Sequence, residues 1–176
     1  MTKLIIFFAV SIIFIKISWP SLFDTGSRKF YRFFAFEFLL LLFLVNSSYW
    51  LSKPLSFFHI ISWVLLAISL LMAFRSMYHL LNDGKPAGTG NIETTTNLVT
   101  SGMYKHIRHP LYSSLLFLSA GLFFRNVSLL ATSLFIVIAA FIYATARIEE
   151  NENSLKFGVD YVFYRKKSKM FVPFLF

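Results

Sequence analysis

The sequence contains no cysteine, which excludes disulfides, thiolate nucleophiles and cysteine-ligated metals from its chemistry. Charged residues make up only 14% of the 176 residues, against roughly 25% in soluble domains. So little charge cannot clothe a water-facing surface. Acidic residues are scarcer still, 8 Asp and Glu against 17 Lys and Arg, for a net charge of +9. In a soluble domain that surplus would point to nucleic acid, but here the basic residues lie between apolar stretches and no folded polar face carries them, so no nucleic-acid partner is expected. Anionic membrane lipids are their natural partners. His59 and His79 lack a metal-like spacing, and no metal is expected. Proline-rich, repetitive and low-complexity linkers are missing too, which argues for a single domain over residues 1–176.

What the sequence has instead is apolar length: 57% of it is hydrophobic, in runs with no polar stripe to offer water. A helix needs about 20 apolar residues to cross the hydrocarbon core. Five segments approach that size: Leu4 to Trp19, Tyr31 to Leu51, Leu55 to Leu81, Pro110 to Phe124 and Val127 to Ala146, the first and fourth being short. Ile17-Ser18-Trp19-Pro20 offers no small-residue cleavage site, so the first segment is read as a helix and not as a signal peptide. The expected fold class is therefore an all-α integral membrane protein with about five transmembrane helices. It divides near Asn82 into an N-terminal packing half, 1–81, and a more polar C-terminal half, 82–176. With the N-terminus outside, the inner loops and the C-terminal tail collect 13 of the 17 basic residues, leaving Lys3, Lys53 and Arg125 outside and Lys16 near the inner end of the first helix. The positive-inside rule favours that orientation, which puts the polar half and the C-terminus at the cytoplasmic face, and the compact chain suggests a prokaryotic cell membrane. Glu37 inside the second span is read as a structural contact with Lys16, Arg32 or His59.

Polar residues concentrate in two places. The loop from Asn82 to Ile107 carries four glycines, Gly84, Gly88, Gly90 and Gly102, together with Pro86; its Gly88-Thr89-Gly90 lacks a preceding strand and a third glycine, and is too weak for a phosphate cradle. It leads into Leu98-Val99-Thr100-Ser101-Gly102-Met103-Tyr104-Lys105-His106-Ile107-Arg108-His109-Pro110-Leu111-Tyr112, where basic and aromatic groups crowd the start of an apolar helix. Pro110 suits the first turn, and free N–H groups there favour an anionic ligand group. A bland alternative is an Arg108 on lipid phosphate and a His109 that only caps. The second place follows the last span: Arg147-Ile148-Glu149-Glu150-Asn151-Glu152 sets three carboxylates beyond an apolar helix, where they want cations or ligand hydroxyls, and Arg147 and Glu150 could pair on one face. Gly158 then suits a helix stop and Asp160 a new cap. Tyr161 and Tyr164 share one face of an amphipathic segment flanked by Arg165 to Lys169.

Together these motifs resemble the isoprenylcysteine carboxyl methyltransferase family, itself similar to membrane phospholipid methyltransferases. Leu98 to Tyr112 meets the pattern Leu-Val-Thr-x-Gly-x-Tyr-x-x-x-Arg-His-Pro-x-Tyr. Glu149, Glu150, Phe157, Gly158, Asp160, Tyr161 and Tyr164 meet the family's second pattern, Glu-Glu followed by Phe-Gly-x-acid-Tyr-x-x-Tyr. The resemblance covers about residues 75 to 176; Ser114 stands where the family has Gly, Asn153 where it has Leu, and an Arg-Val-Pro after the last Tyr is missing. It implies a cytoplasm-facing pocket for S-adenosylmethionine in the C-terminal half. The cofactor would be held by Leu98, Val99, Gly102, Tyr104, His109, Tyr112 and Glu149, with Glu149 suited to the ribose, while Arg108 and Glu150 serve catalysis, Arg108 facing the substrate. For a carboxylate acceptor no general base is needed; for an amine, Glu149, Glu150 or His106 could take the proton.

The acceptor implied first is the carboxyl of an isoprenylcysteine or similar lipid-linked acid, with the amine of phosphatidylethanolamine second and no obligate protein partner. A nicotinamide-dependent sterol or enone reductase and a non-catalytic lipid-binding protein are the readings from other classes.

Overall fold

A computed structural model describes residues 1–50, 56–87 and 94–173. Gly88-Thr89-Gly90 lies outside the described residues, as do the span ends Leu51 and Leu55 and the tail Phe174 to Phe176. Five α-helices form: α1 (Thr2–Ser18), α2 (Arg28–Asn46), α3 (Phe57–Asn82), α4 (Pro110–Arg125) and α5 (Leu129–Lys167), with 3-10 turns at Trp19–Ser21, Ser47–Tyr49 and Gly102–Lys105. Among the described residues only isolated bridges, and no strands, pair backbone between segments. The all-α membrane class holds. Among the described residues four helices, α1, α2, α3 and α5, are long and apolar enough to cross a membrane. The expected fourth span is the exception: α4 has 16 residues, a rise of about 24 Å against a core of about 30 Å.

Local chemistry explains the boundaries. Pro20 follows α1, Ser27 caps α2 by accepting the Lys29 N–H at 3.3 Å, and Ser128 accepts the Ala131 N–H at 3.2 Å to start α5. At 39 residues α5 far exceeds a bilayer's thickness, because its apolar part ends near Ala146 and a polar extension continues. Gly158 breaks that extension with φ 57 and ψ −131, and a Cβ there would meet nothing within 4 Å, so backbone conformation and not space calls for glycine.

The chain packs as two compact units, Met1–Leu66 with Leu116–Glu149 and Ala67–Leu115 with Glu150–Phe176, so the boundary between them runs through α3, α4 and α5. In the first unit Phe34 and Phe38 of α2 stack on Phe141 of α5 at 5.4 and 5.7 Å, above buried Ala35, Leu42, Ile138 and Ile142. Lipid gives helices no hydrophobic incentive to associate, so polar bonds and small residues matter more. Here Ser62 Oγ donates to the Gly121 carbonyl at 2.7 Å and Asn46 Nδ2 to the Leu122 carbonyl at 2.7 Å. Ser11 Oγ of α1 donates to Glu37 Oε2 at 2.6 Å, which corrects the expected Glu37 pairing with Lys16, Arg32 or His59. A hydroxyl one helix away is the nearer donor at that depth. In the second unit Ser69 Oγ donates to the Ser114 carbonyl at 2.7 Å. Ser62, Ser69 and Ser76 recur every seven residues along α3, all buried, a seam that is plain in the sequence once the face is known.

Candidate functional site

The second unit fastens the two polar motifs together. After α5 the chain returns beside residues 106–109: the Lys169 N–H donates to the His106 carbonyl at 2.9 Å, the Arg108 N–H to the Lys169 carbonyl at 2.7 Å and the His109 N–H to the Met170 carbonyl at 3.2 Å. Tyr164 donates its hydroxyl to the Tyr104 carbonyl at 2.6 Å, and Ser113 Oγ donates to the Phe171 carbonyl at 2.7 Å. These bonds satisfy backbone groups that would otherwise be orphaned at a helix start. Pro110 opens α4 where its missing N–H costs nothing.

Within that frame Glu150 is 1% exposed and is the focus of the cationic side chains. Arg108 Nε donates to its Oε1 at 2.7 Å, Arg165 Nε lies 3.5 Å from Oε2, and His109 Nε2 lies 3.7 Å from Oε1. Arg108 Nη1 also donates to the carbonyls of Arg165, at 3.2 Å, and of Ser168. The His109 ring stacks on Tyr112 with centroids 5.6 Å apart and leans on Phe171. Arg108, expected to face substrate, gives its Nε and Nη1 to this cluster, because a buried carboxylate and open carbonyls compete for its fork. Glu150 takes Arg108 and Arg165 as partners.

Beside this cluster the second unit has a cleft of about 500 Å³ lined by Leu98, Thr100, Lys105, His106, Asp160, Phe163, Tyr164 and Lys167. Of the residues expected at the cofactor, Leu98 lines it, while Val99, Tyr104 and His109 are buried and Gly102 shapes the adjoining turn. Lys105, Asp160, Phe163 and Lys167 were not expected there. Their basic and amphipathic pattern reads equally well as a solvated helix face, and only the return of the chain puts them opposite Leu98 and Thr100. Glu149 belongs to the first unit, where its Oε2 pairs with Arg28 at 3.2 Å.

A third arrangement holds the turn that starts at Gly102. His79 Nδ1 meets Asp83 Oδ2 at 2.8 Å one helical turn away, and Ser101 Oγ donates to the same carboxylate oxygen. Ser101 lies on the Nδ1 side with Asp83, so this is a latch and not a hydroxyl-activating relay. The Ser101 and His79 hydrogen bonds hold the Asp83 carboxyl below its ordinary 3.8. Its contribution is thus complete above that value and is lost as pH falls through the lowered folded one. Asp83→Asn is expected to flatten the melting-temperature profile below about pH 4; an unchanged profile would place that titration elsewhere.

Comparisons with curated proteins and with solved structures found no match. A family model described as phospholipid methyltransferase matches residues 57–158, from the first residue of α3 to the break at Gly158, more than half of the chain. That span includes Leu98 to Tyr112 and the Glu149-Glu150 pair. The sequence motifs, the apolar helices that carry them and the matched region agree on one assignment: the chain belongs to the phospholipid methyltransferase family.

Proposed function

We propose that the protein transfers a methyl group from S-adenosylmethionine to the headgroup amine of a membrane phospholipid, working at the cytoplasmic face with its N-terminus outside. The observation that carries the choice of acceptor is the engagement of Arg108 with Glu150 at 2.7 Å and with two backbone carbonyls. A carboxylate acceptor needs a cation to orient it, and this one is occupied. An ammonium acceptor must instead lose a proton before its lone pair can attack. The His109 imidazole, 3.7 Å from a carboxylate fixed by Arg108, is suited to take that proton. In this reading Glu150 orients and supports His109, and Arg108 is a positioning residue that acts through Glu150.

The cleft suits the cofactor in size and chemistry. Its volume of about 500 Å³ falls in the range for small-molecule sites. Lys105 and Lys167 match a carboxylate, Asp160 an ammonium or ribose hydroxyls, and Leu98 and Phe163 an adenine face. When bound, S-adenosylmethionine supplies a methyl on a sulfonium that loses its charge as the methyl leaves. The protein's share is then mostly alignment, since holding donor and acceptor in line removes the entropic cost of their encounter. The resemblance assigns Glu149 to the ribose, which is tested separately below.

Methylation of a lipid-linked carboxylate such as an isoprenylcysteine is the second reading, favoured by the Leu98 to Tyr112 motif. Calorimetric titration of the detergent-purified protein with S-adenosylhomocysteine tests the cofactor. Saturable binding is expected in the wild type, weakened about tenfold or more in His109→Ala and Glu149→Ala. No binding to a folded wild type, or binding of a nicotinamide cofactor in its place, would overturn the reading. Methyl transfer to phosphatidylethanolamine, with none to a prenylcysteine acid, is the expected acceptor result.

A further inference from the structure

Arg125 ends α4 with only 4% of its surface exposed, in a place the methyl-transfer chemistry does not use. Its guanidinium carbon lies 5.2 Å from the ring centroid of Trp50 and 5.2 Å from that of Trp63, two indoles set nearly perpendicular, 88°, with centroids 5.6 Å apart. Nη2 donates to the Trp50 carbonyl. Nε and Nη1 are buried with no hydrogen-bond partner, and so is Nε1 of Trp50. Three donor nitrogens are thus gathered at one helix end with no acceptor among the described residues, where buried polar groups are nearly always satisfied. The aromatic faces stabilise the cation but leave its N–H donors unfilled.

No carboxylate of the first unit is placed to fill them. Asp24 precedes α2, Glu37 lies midway along it, and Glu149 pairs with Arg28 at its start, whereas Trp50 and Arg125 stand beyond its far end. Lys3 Nζ donates to Ser48 Oγ at 2.8 Å, adding a second cation at that end. The acceptor that fits is an external anion. Trp63 is 48% exposed, so the cluster reaches the protein surface, and tryptophans near helix ends mark the membrane interface, where phosphate groups lie. An arginine with an indole N–H beside it is a donor set matched to phosphate oxygens.

We propose that Arg125, Trp50 and Trp63 form a phosphate-binding site, whose phosphate is carried by a phospholipid headgroup or is free in solution. The site contains its own reporter, since Trp50 and Trp63 are two of only three tryptophans in the chain. In a Trp19→Phe background of the full-length protein in detergent, tryptophan fluorescence is followed during titration with dihexanoyl phosphatidylglycerol, inorganic phosphate and dihexanoylglycerol. A saturable change with the phospholipid is expected, at least about tenfold weaker in Arg125→Gln. Equal affinity for inorganic phosphate would support the site with the free anion as ligand, and a much weaker response to it would support the lipid headgroup. Trp50→Phe keeps an aromatic face but removes the indole donor; it is expected to bind several-fold more weakly, and it serves should Arg125→Gln fail to fold. No saturable change with either phosphate compound, an unaltered response in both variants, or an equal response to dihexanoylglycerol would overturn the proposal.

Discussion

Glu150→Ala is expected to destabilise the second unit by about 3–5 kcal/mol, the usual result of removing one partner from a buried ion pair. Glu150 is 1% exposed and Arg108 binds it at 2.7 Å, with Arg165 at 3.5 Å and His109 at 3.7 Å on the same carboxylate. Alanine leaves the Arg108 cation desolvated with only the Arg165 and Ser168 carbonyls for company. Glu150→Gln retains an acceptor and the side-chain volume, and its loss of stability should be clearly smaller. The measurement is the temperature at which each variant loses its helical ellipticity and monodispersity in detergent. Equal melting of Glu150→Ala and wild type would mean that the cluster contributes nothing to the fold. Methyl transfer should fall sharply in both variants, because each removes the charge that supports His109.

Gly102→Ala should be nearly as harmful, for two separable reasons. The residue has φ +55, where a Cβ costs about 1–2 kcal/mol. That Cβ would also run into the His79 ring, and overpacking of this kind typically costs about 1–3 kcal/mol more. Gly102→Ala/His79→Ala removes the overlap and leaves only the backbone strain. The double variant is therefore expected to melt above the Gly102→Ala single variant despite carrying one more substitution, a coupling that a double-mutant cycle measures directly. Simple additivity would show that the His79 ring yields at little cost.

The fit of sequence to structure varied with the kind of interaction. Gly158 as a break and Pro110 as a helix start were legible because each residue's own backbone restricts what it can do. Glu37 was visible as an anomaly, yet its partner Ser11 could not be chosen from sequence, since a hydroxyl on any neighbouring helix would have served. Arg108 is the sharper case. Its place in the motif marks it as important, but whether it meets a ligand or a carboxylate of its own chain depends on where α5 brings Glu150. The His79–Asp83–Ser101 latch went unread for a related reason: two of its members lie one turn apart on α3 and its extension, and the third comes from a loop 18 residues beyond Asp83.

Composition and apolar run length alone determined that this is an all-α membrane protein, and the ordered motifs of its C-terminal half marked it as a methyltransferase. Those properties are written in local chemistry: how a stretch of side chains partitions between water and lipid, and which backbone angles Gly and Pro permit. Only the tertiary structure decided that Arg108 pairs with Glu150, that Lys105, Asp160, Phe163 and Lys167 share a cleft, and that Arg125 lies over two indoles. Each depends on contacts between residues distant in the chain, and a charged side chain takes whichever partners the packing brings within reach when water is excluded.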